Sequence, residues 1–313
     1  MWKYVLKRIL TLIPIILCVS FLVYFMMDLA PGNIIDIIAA DYTPEARAEL
    51  MHELGYDRSV FFRYFMYLKD MLRGSLGTSY IYKEPVLSLY MSRLPATLKL
   101  AFCGVALAIV VSIPLGIYAA LHAGKLGDNA CSVFALIGVS MPRFWFGLIL
   151  IIIFSLKLGW LPSGTDNAGF KSLILPSITI ASSLLAIMTR TTRSSMLDVL
   201  SKDYLDTARG KGVPEKVVII KHALRNALIP IITIFGTQMG ACLAGAVVTE
   251  TVFTWPGIGR LTIDALNQRD TTTVTGCIIM TTIMISILML VVDLLYSFVD
   301  PRIKAMYSKG GRK

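Results

Sequence analysis

The chain has 313 residues, 56% of them hydrophobic and 16% charged, with a mean hydropathy of +0.70. A soluble protein of this length cannot hide so much apolar surface in its core, so composition excludes the soluble class and points to a bilayer. The formal charge of +10 does not call for nucleic acid, because no basic, aromatic-interleaved soluble module accompanies it.

Apolar runs of the about 20 residues that cross a hydrocarbon core fall at 9–27, 97–121, 131–156, 173–193, 228–252 and 274–299. Lys3, Lys7 and Arg8 precede the first run. A basic start and an apolar centre also fit a signal peptide. However, the run is longer than a signal core, Leu29-Ala30-Pro31 is a poor cleavage site, and Ile15-Ile16-Leu17-Cys18 lacks the small residues of a lipoprotein site. The segment 1–29 is therefore read as a cytoplasmic start and a retained anchor. Residues 30–95 read as a small helical insertion: Thr43-Pro44-Glu45 is a capped helix start, Leu50, Leu54, Val60, Phe61, Tyr64, Phe65, Tyr67 and Leu68 supply an apolar face, and Gly74 to Ser79 breaks the pattern. With one anchor before it, the insertion is expected to pack on the outer mouth of the membrane core.

Pro114 in the second span and Pro142 in the third should bend or loosen their helices, since each removes a backbone donor and crowds the preceding turn. Arg143 follows Pro142 near the middle of the third span, where a cation is costly unless it meets water or an anion. It either faces a cavity that accepts a carboxylate, or is held by an acid or a helix break. In the fifth span Gly236, Gly240 and Ala244 form a small-residue stripe, with Thr233, Thr237 and Gln238 close by. That face is either a helix contact or the border of a polar pathway. Glu250 leads into Trp255-Pro256-Gly257, which forms an outer gate, touches an outside partner, or is a plain re-entrant connection. Asp293 in the sixth span either pairs with a basic residue or meets substrate.

Six spans put both ends on one side. The cations before the first span, Lys125 after the second, Lys202, Arg209, Lys211, Lys216, Lys221 and Arg225 between the fourth and fifth, and Arg302, Lys304, Lys309, Arg312 and Lys313 in the tail 301–313 all share that side. The positive-inside rule makes it cytoplasmic, and the mixed acids and bases of 30–95 suit the outside.

No catalytic constellation is visible. His52, His122 and His222 are scattered over three loops, and Cys18, Cys103, Cys131, Cys242 and Cys277 lie in or beside the spans as small buried residues. Metal binding is not expected. Gly210-Lys211-Gly212 lacks the spacing of a phosphate-binding loop, so the chain itself is expected to hold no cofactor. The segment 198–227 carries the strongest signal. Asp198 to Arg209 continues the fourth helix or starts a short one, Gly210 and Gly212 allow a reversal, and Pro214-Glu215 opens a second helix with Val217, Ile220 and Leu224 on one side and Lys216 and Lys221 elsewhere. Such a helix fits a partner's groove or the membrane surface equally.

Asp206-Thr207-Ala208-x-x-x-Gly212 with His222-Ala223-Leu224-Arg225-Asn226 resembles the coupling loop of the dipeptide, oligopeptide and nickel permeases of ABC importers. It departs from the general importer pattern in Asp206, Thr207 and Arg225. Leu76-Gly77-Thr78-Ser79, Arg93-Leu94-Pro95-Ala96-Thr97-Leu98, Met141-Pro142 with Phe144-Trp145, Gly159-Trp160-Leu161-Pro162, Glu250 to Arg260 and Asp293-Leu294-Leu295-Tyr296 with Asp300-Pro301-Arg302 are similar to the same branch. The ordered set covers nearly the whole chain. The resemblance implies an all-α integral membrane protein with six transmembrane helices, a type I importer permease core over 96–300, and the 30–95 insertion after the first helix. It implies a multi-pass subunit of the bacterial inner membrane that moves peptides by alternating access, with no catalysis of its own. The implied partners are a second homologous permease, two cytoplasmic ATPases carrying ATP and magnesium, and an extracytoplasmic binding protein. Asp206, Ala208, Gly212, His222 and Arg225 would carry the coupling; Arg143, Thr233, Thr237, Gln238 and Asp293 would border the path; Glu250, Trp255 and Gly257 would form the outer gate. The alternatives are nickel import, a self-sufficient secondary transporter, disfavoured by the absence of an internal repeat and by spans that offer only Asp293 and Glu250 as acids, and a membrane scaffold.

Overall fold

The computed structural model describes residues 2–29, 34–164 and 169–299. Among these, every regular element is helical, and one isolated β-bridge joins Thr78 to Pro85. The chain runs through α1 (Trp2–Leu29), α2 (Ile35–Ile38), α3 (Pro44–Glu53), α4 (Val60–Leu72), α5 (Val86–Leu121) and α6 (Leu126–Ser140). Then come α7 (Arg143–Leu150), which continues as a π-helical segment Ile151–Lys157, α8 (Lys171–Leu200) and α9 (Asp203–Gly210). Next, α10 (Glu215–Val217) passes through a second π-helical segment, Val218–Leu224, into α11 (Arg225–Val252); α12 (Ile258–Asn267) and α13 (Thr271–Val299) follow. The tail 301–313 and the Asp293 side chain lie outside the described residues.

Among the described residues, five stretches are long and apolar enough to cross a membrane: Ile9–Leu29, Val86–Leu121, Lys171–Leu200, Glu215–Val252 and Thr271–Val292. The pair Leu126–Ser140 and Arg143–Lys157, bent by 108°, makes the sixth when counted as one broken span. The bend falls at Met141 and Pro142, whose ψ angles of 128° and 132° are extended. Proline excludes the helical conformation from the residue before it as well as removing its own donor, so two successive residues leave the helix. Pro114 acts differently. α5 is uninterrupted there, held against α8 on both sides of the proline: a Cβ on Gly104 would lie 2.8 Å from Ile180 Cγ2, and one on Gly116 would lie 2.4 Å from Thr192 Cβ. α5 also begins at Val86 rather than at 97, because Leu89 and Tyr90 are buried with Ile258, Leu261 and Cys277.

By packing, the chain divides into two units, Met1–Thr97 with Pro256–Ile287, and Leu98–Trp255 with Leu288–Lys313. In the second unit α8 is the hub. Two thirds (67%) of its apolar window is buried, against 6% for the first span, and α5, α6, α7 and α11 pack around it. Small residues permit this closeness; a Cβ on Gly138 of α6 would stand 3.2 Å from both Ala186 Cβ and the Ser182 carbonyl oxygen. The main core joins Ala181, Leu184 and Met188 of α8 to Leu205, Val218, Ala223 and Ala227.

In the first unit, Thr43 caps α3 by accepting from the Ala46 N–H, as the sequence predicts, and Ser59 caps α4 through the Phe62 N–H. Ile34, Ile35 and Ala39 form a small core with Leu50, Met51 and Leu54. The buried carboxylate of Asp270 starts α13. It accepts from the Thr273 N–H (3.2 Å), the Thr273 hydroxyl (2.7 Å) and the Ser79 hydroxyl (2.5 Å), tying the 77–85 loop to that helix. One expectation changes here. Tyr64 of α4 is buried, but Phe61 and Phe65 lie on the exposed face.

Candidate functional site

The segment that follows α8 is built as a rigid bracket. α8 stops at Leu200 and α9 starts afresh at Asp203, with the fully buried Leu205 seated against Met196, Val218 and Ala223. Arg209 closes the turn. Its guanidinium donates to Glu215 (3.0 and 3.1 Å) and to Asp206 (2.8 Å), and these two carboxylates, Glu215 first, push its pKa above the usual arginine value. The ion pairs are exposed, so they set the geometry more than they add stability. Gly212 has φ +76°, with nothing within 4 Å of an added Cβ. The turn therefore asks for glycine on conformational grounds and not for want of room.

The second helix opens at Glu215 as predicted but is no separate element: it joins α11 through the π-helical segment. The wider turn changes the face presented to the core. Val218 and Ala223, five residues apart, are fully buried, whereas Val217 and Ile220 point outward and Leu224 is partly buried. The predicted stripe of Val217, Ile220 and Leu224 is thus split, leaving Val217, Ile220 and the exposed Tyr204 on the surface among Lys202, Lys211, Lys216 and Lys221. Tyr204 fixes α9 to this helix, donating to the His222 carbonyl (3.4 Å) and accepting from Asn226 (2.8 Å). Of the proposed coupling residues, Asp206, Gly212 and Arg225 are exposed, Ala208 packs against the core, and His222 contributes its backbone carbonyl.

Arg143 opens α7 at the bend. It donates to the Ser183 hydroxyl (3.3 Å) and the Ala241 carbonyl (3.2 Å), and neither partner is an acid. Its guanidinium lies against Gly245, where an added Cβ would come within 1.6 Å of the Arg143 Nη1. Gly245 was missed in the sequence; its signal was its place beside the Gly236, Gly240, Ala244 stripe. Gly236 and Gly240 are buried, and Ala244 is exposed. Thr233 and Thr237 are exposed, their hydroxyls donating to the carbonyls of Ile229 and Ile234 (both 2.9 Å), and Gln238 is half-buried. Thus Ala241, one turn beyond Thr237 on α11, brings Arg143 to the helix carrying these threonines.

Glu250 is fully buried and its carbonyl accepts from the Trp255 N–H (2.8 Å); Trp255 is also buried. The turn's positive φ falls on Thr254 (49°), whereas Gly257, at φ −99° and ψ −176°, is the extended residue ahead of α12. Gly257 lines a cavity of about 160 Å³ with Tyr82, Arg93, Arg260 and Asp264.

An ion pair between residues 65 apart was also missed. Asp128, at 3% exposure, receives both the Nε (2.5 Å) and an Nη (2.7 Å) of Arg193 and also the Gly124 N–H (2.9 Å), tying the start of α6 to α8. Its signal was a lone acid opening a long apolar stretch. Among the described residues no group of three or more His, Cys, Asp or Glu is placed to hold a metal ion.

The profile of the binding-protein-dependent transport system inner membrane component family matches residues 112–305, and that of the family's N-terminal region matches 1–101. The chain belongs to this family. The permease is 39% identical to the oligopeptide transport system permease AppB of Bacillus subtilis, over 97% of its own length and all of the relative's. It is 38% identical to the di/tripeptide permease DppB of Pseudomonas aeruginosa and 39% identical to the glutathione permease GsiC of Escherichia coli O6:H1, each over 97% of this chain and 99% of the other. The inward-facing MetNI methionine ABC transporter superposes with a TM-score of 0.58 at 15% identity, covering 68% of the permease and 97% of that chain. The fold is that of a type I ABC importer permease, as its sequence suggests.

Proposed function

We propose that the permease imports peptides, from dipeptides to oligopeptides, as one of two homologous permease subunits in the bacterial inner membrane. Two cytoplasmic ATPases drive it, a binding protein on the outside supplies the substrate, and both termini are cytoplasmic. The peptide class is supported by three relatives of 38–39% identity over nearly the whole chain that carry oligopeptide, di/tripeptide and glutathione permease names. The observation that carries the coupling is the bracket of α9 and the 215–224 helix, apolar and basic outside and fused inside to the core of α8 and α11. A push on Tyr204, Val217 and Ile220 passes through Leu205, Val218 and Ala223 to the hub without a flexible joint. Closure of the ATPases then becomes rotation of α8 and α11, which is alternating access. Arg143, which donates to the neutral oxygens of Ser183 and Ala241, would receive a peptide carboxylate.

Mild-detergent purification from the native membrane, with mass spectrometry of the co-purifying chains, is expected to return two ATPases and a second permease. Recovery of an intact permease alone would favour a self-sufficient transporter. Replacing Arg143 with glutamine is expected to raise the KM for peptide uptake about tenfold, the loss of one charged hydrogen bond, with assembly unchanged. Unaltered affinity in that variant would remove Arg143 from the path.

A further inference from the structure

Gly245 lies inside α11, and the backbone does not ask for it. It has no left-handed φ, and a glycine within a helix is destabilising relative to alanine because it orders a freer chain. Close helix packing is the usual reason for such a residue in a membrane, and Gly104, Gly116 and Gly138 serve it: Cβ atoms there would meet side chains and carbonyls of α8. Gly245 is different. Outside its own turn of helix, the three atoms nearest to an added Cβ are Nη1, Cζ (2.8 Å) and Nε (3.6 Å) of Arg143. The place a methyl group would fill is held by one guanidinium.

Helix geometry explains why this position is bare. In an α-helix the carbonyl of one residue faces the N–H of the residue four further on, so the Ala241 oxygen lies beside residue 245. A Cβ at 245 would fill the approach to the second lone pair of that oxygen. Glycine leaves the approach open, and Arg143 Nη1 donates through it at 3.2 Å. Arg143 Nε donates to the Ser183 hydroxyl of α8 at 3.3 Å. Two points on two helices thus fix the guanidinium. Among the described residues these bonds use two of its five N–H donors, and three remain for a ligand.

We propose that Gly245 is a positioning residue: it forms the seat on α11 that holds the Arg143 guanidinium with its remaining donors turned to the carboxylate of a peptide. Its role rests on the reading of Arg143 as the acceptor of that carboxylate; Arg143 supplies the charge and Gly245 aims it. A methyl group at 245 evicts the guanidinium without breaking the fold, because the displaced group ends a flexible side chain and alanine favours the helix. The cation then survives but is misplaced, and misplacement on the scale of an ångström is enough to weaken a positioned contact.

The test is uptake of labelled trialanine by the full importer complex in reconstituted vesicles, comparing Gly245→Ala, Arg143→Gln and the double variant. Gly245→Ala is expected to raise KM about tenfold, as Arg143→Gln does, with kcat within about twofold of the unaltered complex. The double variant is expected to be no worse than Arg143→Gln alone, since both changes remove the same contact. A normal KM in Gly245→Ala beside a raised KM in Arg143→Gln would leave Arg143 in the path and overturn the seat. Multiplied losses in the double variant, or a lower kcat at unchanged KM in Gly245→Ala, would place Gly245 in helix packing or motion and overturn it too. An unchanged KM in Arg143→Gln removes the carboxylate reading and, with it, the role of Gly245.

Discussion

Gly212→Val is expected to lower ATP-driven uptake at least tenfold while the helices remain inserted. Gly212 sits at φ +76° with open space around it, so the valine side chain has room. The backbone does not: left-handed φ costs an ordinary L-residue about 1–2 kcal/mol, and a β-branched one is a genuine outlier there. The turn then relaxes to negative φ, Arg209 loses its fork between Asp206 and Glu215, and α9 swings relative to the 215–224 helix. Uptake and substrate-stimulated ATP hydrolysis in reconstituted vesicles measure the effect. Gly212→Asn is the control, since asparagine tolerates this conformation; it should keep most of the activity. Normal uptake in the valine variant would show that the turn takes no part in coupling.

The second large effect is expected at the ion pair between α6 and α8. Asp128→Ala strips Arg193 of both its bonds and Gly124 of its acceptor, an expected loss of about 2 kcal/mol for a charged, largely buried contact. For a chain of this size that corresponds to a melting temperature lower by roughly 3 °C. Because Arg193 is 32% exposed, the stranded guanidinium retains some water. Combining Asp128→Ala with Arg193→Leu should therefore recover part of the loss, since the unpaired cation is then gone. A melting temperature unchanged in the single variant would mean that α6 and α8 are held by packing alone.

The six spans were legible because hydropathy is a local property, and so was the cap at Thr43, which reads from three adjacent residues; the cap at Ser59 was not read. Pro142 announced a break, but the angle of 108° depends on how α6 and α7 each find α8, which no local pattern encodes. The burial of Val218 and Ala223 in place of Val217 and Ile220 was hidden for a related reason. A 3.6-residue period assumes an α-helix, and here the helix widens. Likewise, the positive φ of the Trp255-Pro256-Gly257 turn lies at Thr254 and not at its glycine, which residue type alone does not reveal. In the 198–227 segment Gly212 was readable from its type; Arg209 as the staple was not, since its partner Glu215 lies across a turn whose shape had to be known first.

The central place of α8 bears on how the permease is made. A membrane chain leaves the ribosome from one end, so α8 meets α5 and α6 already in the bilayer, while α11, its most extensive neighbour, has yet to be synthesised. During that interval one flank of the hub faces lipid. Three of its hydroxyls are prepared for the wait: Thr179, Ser182 and Thr189 donate to the carbonyls of Leu175, Thr179 and Leu185 on their own helix. Thr179, Ser182 and Thr189 thus arrive already satisfied, and these three hydroxyls can wait for α11 without an unpaired donor in the membrane.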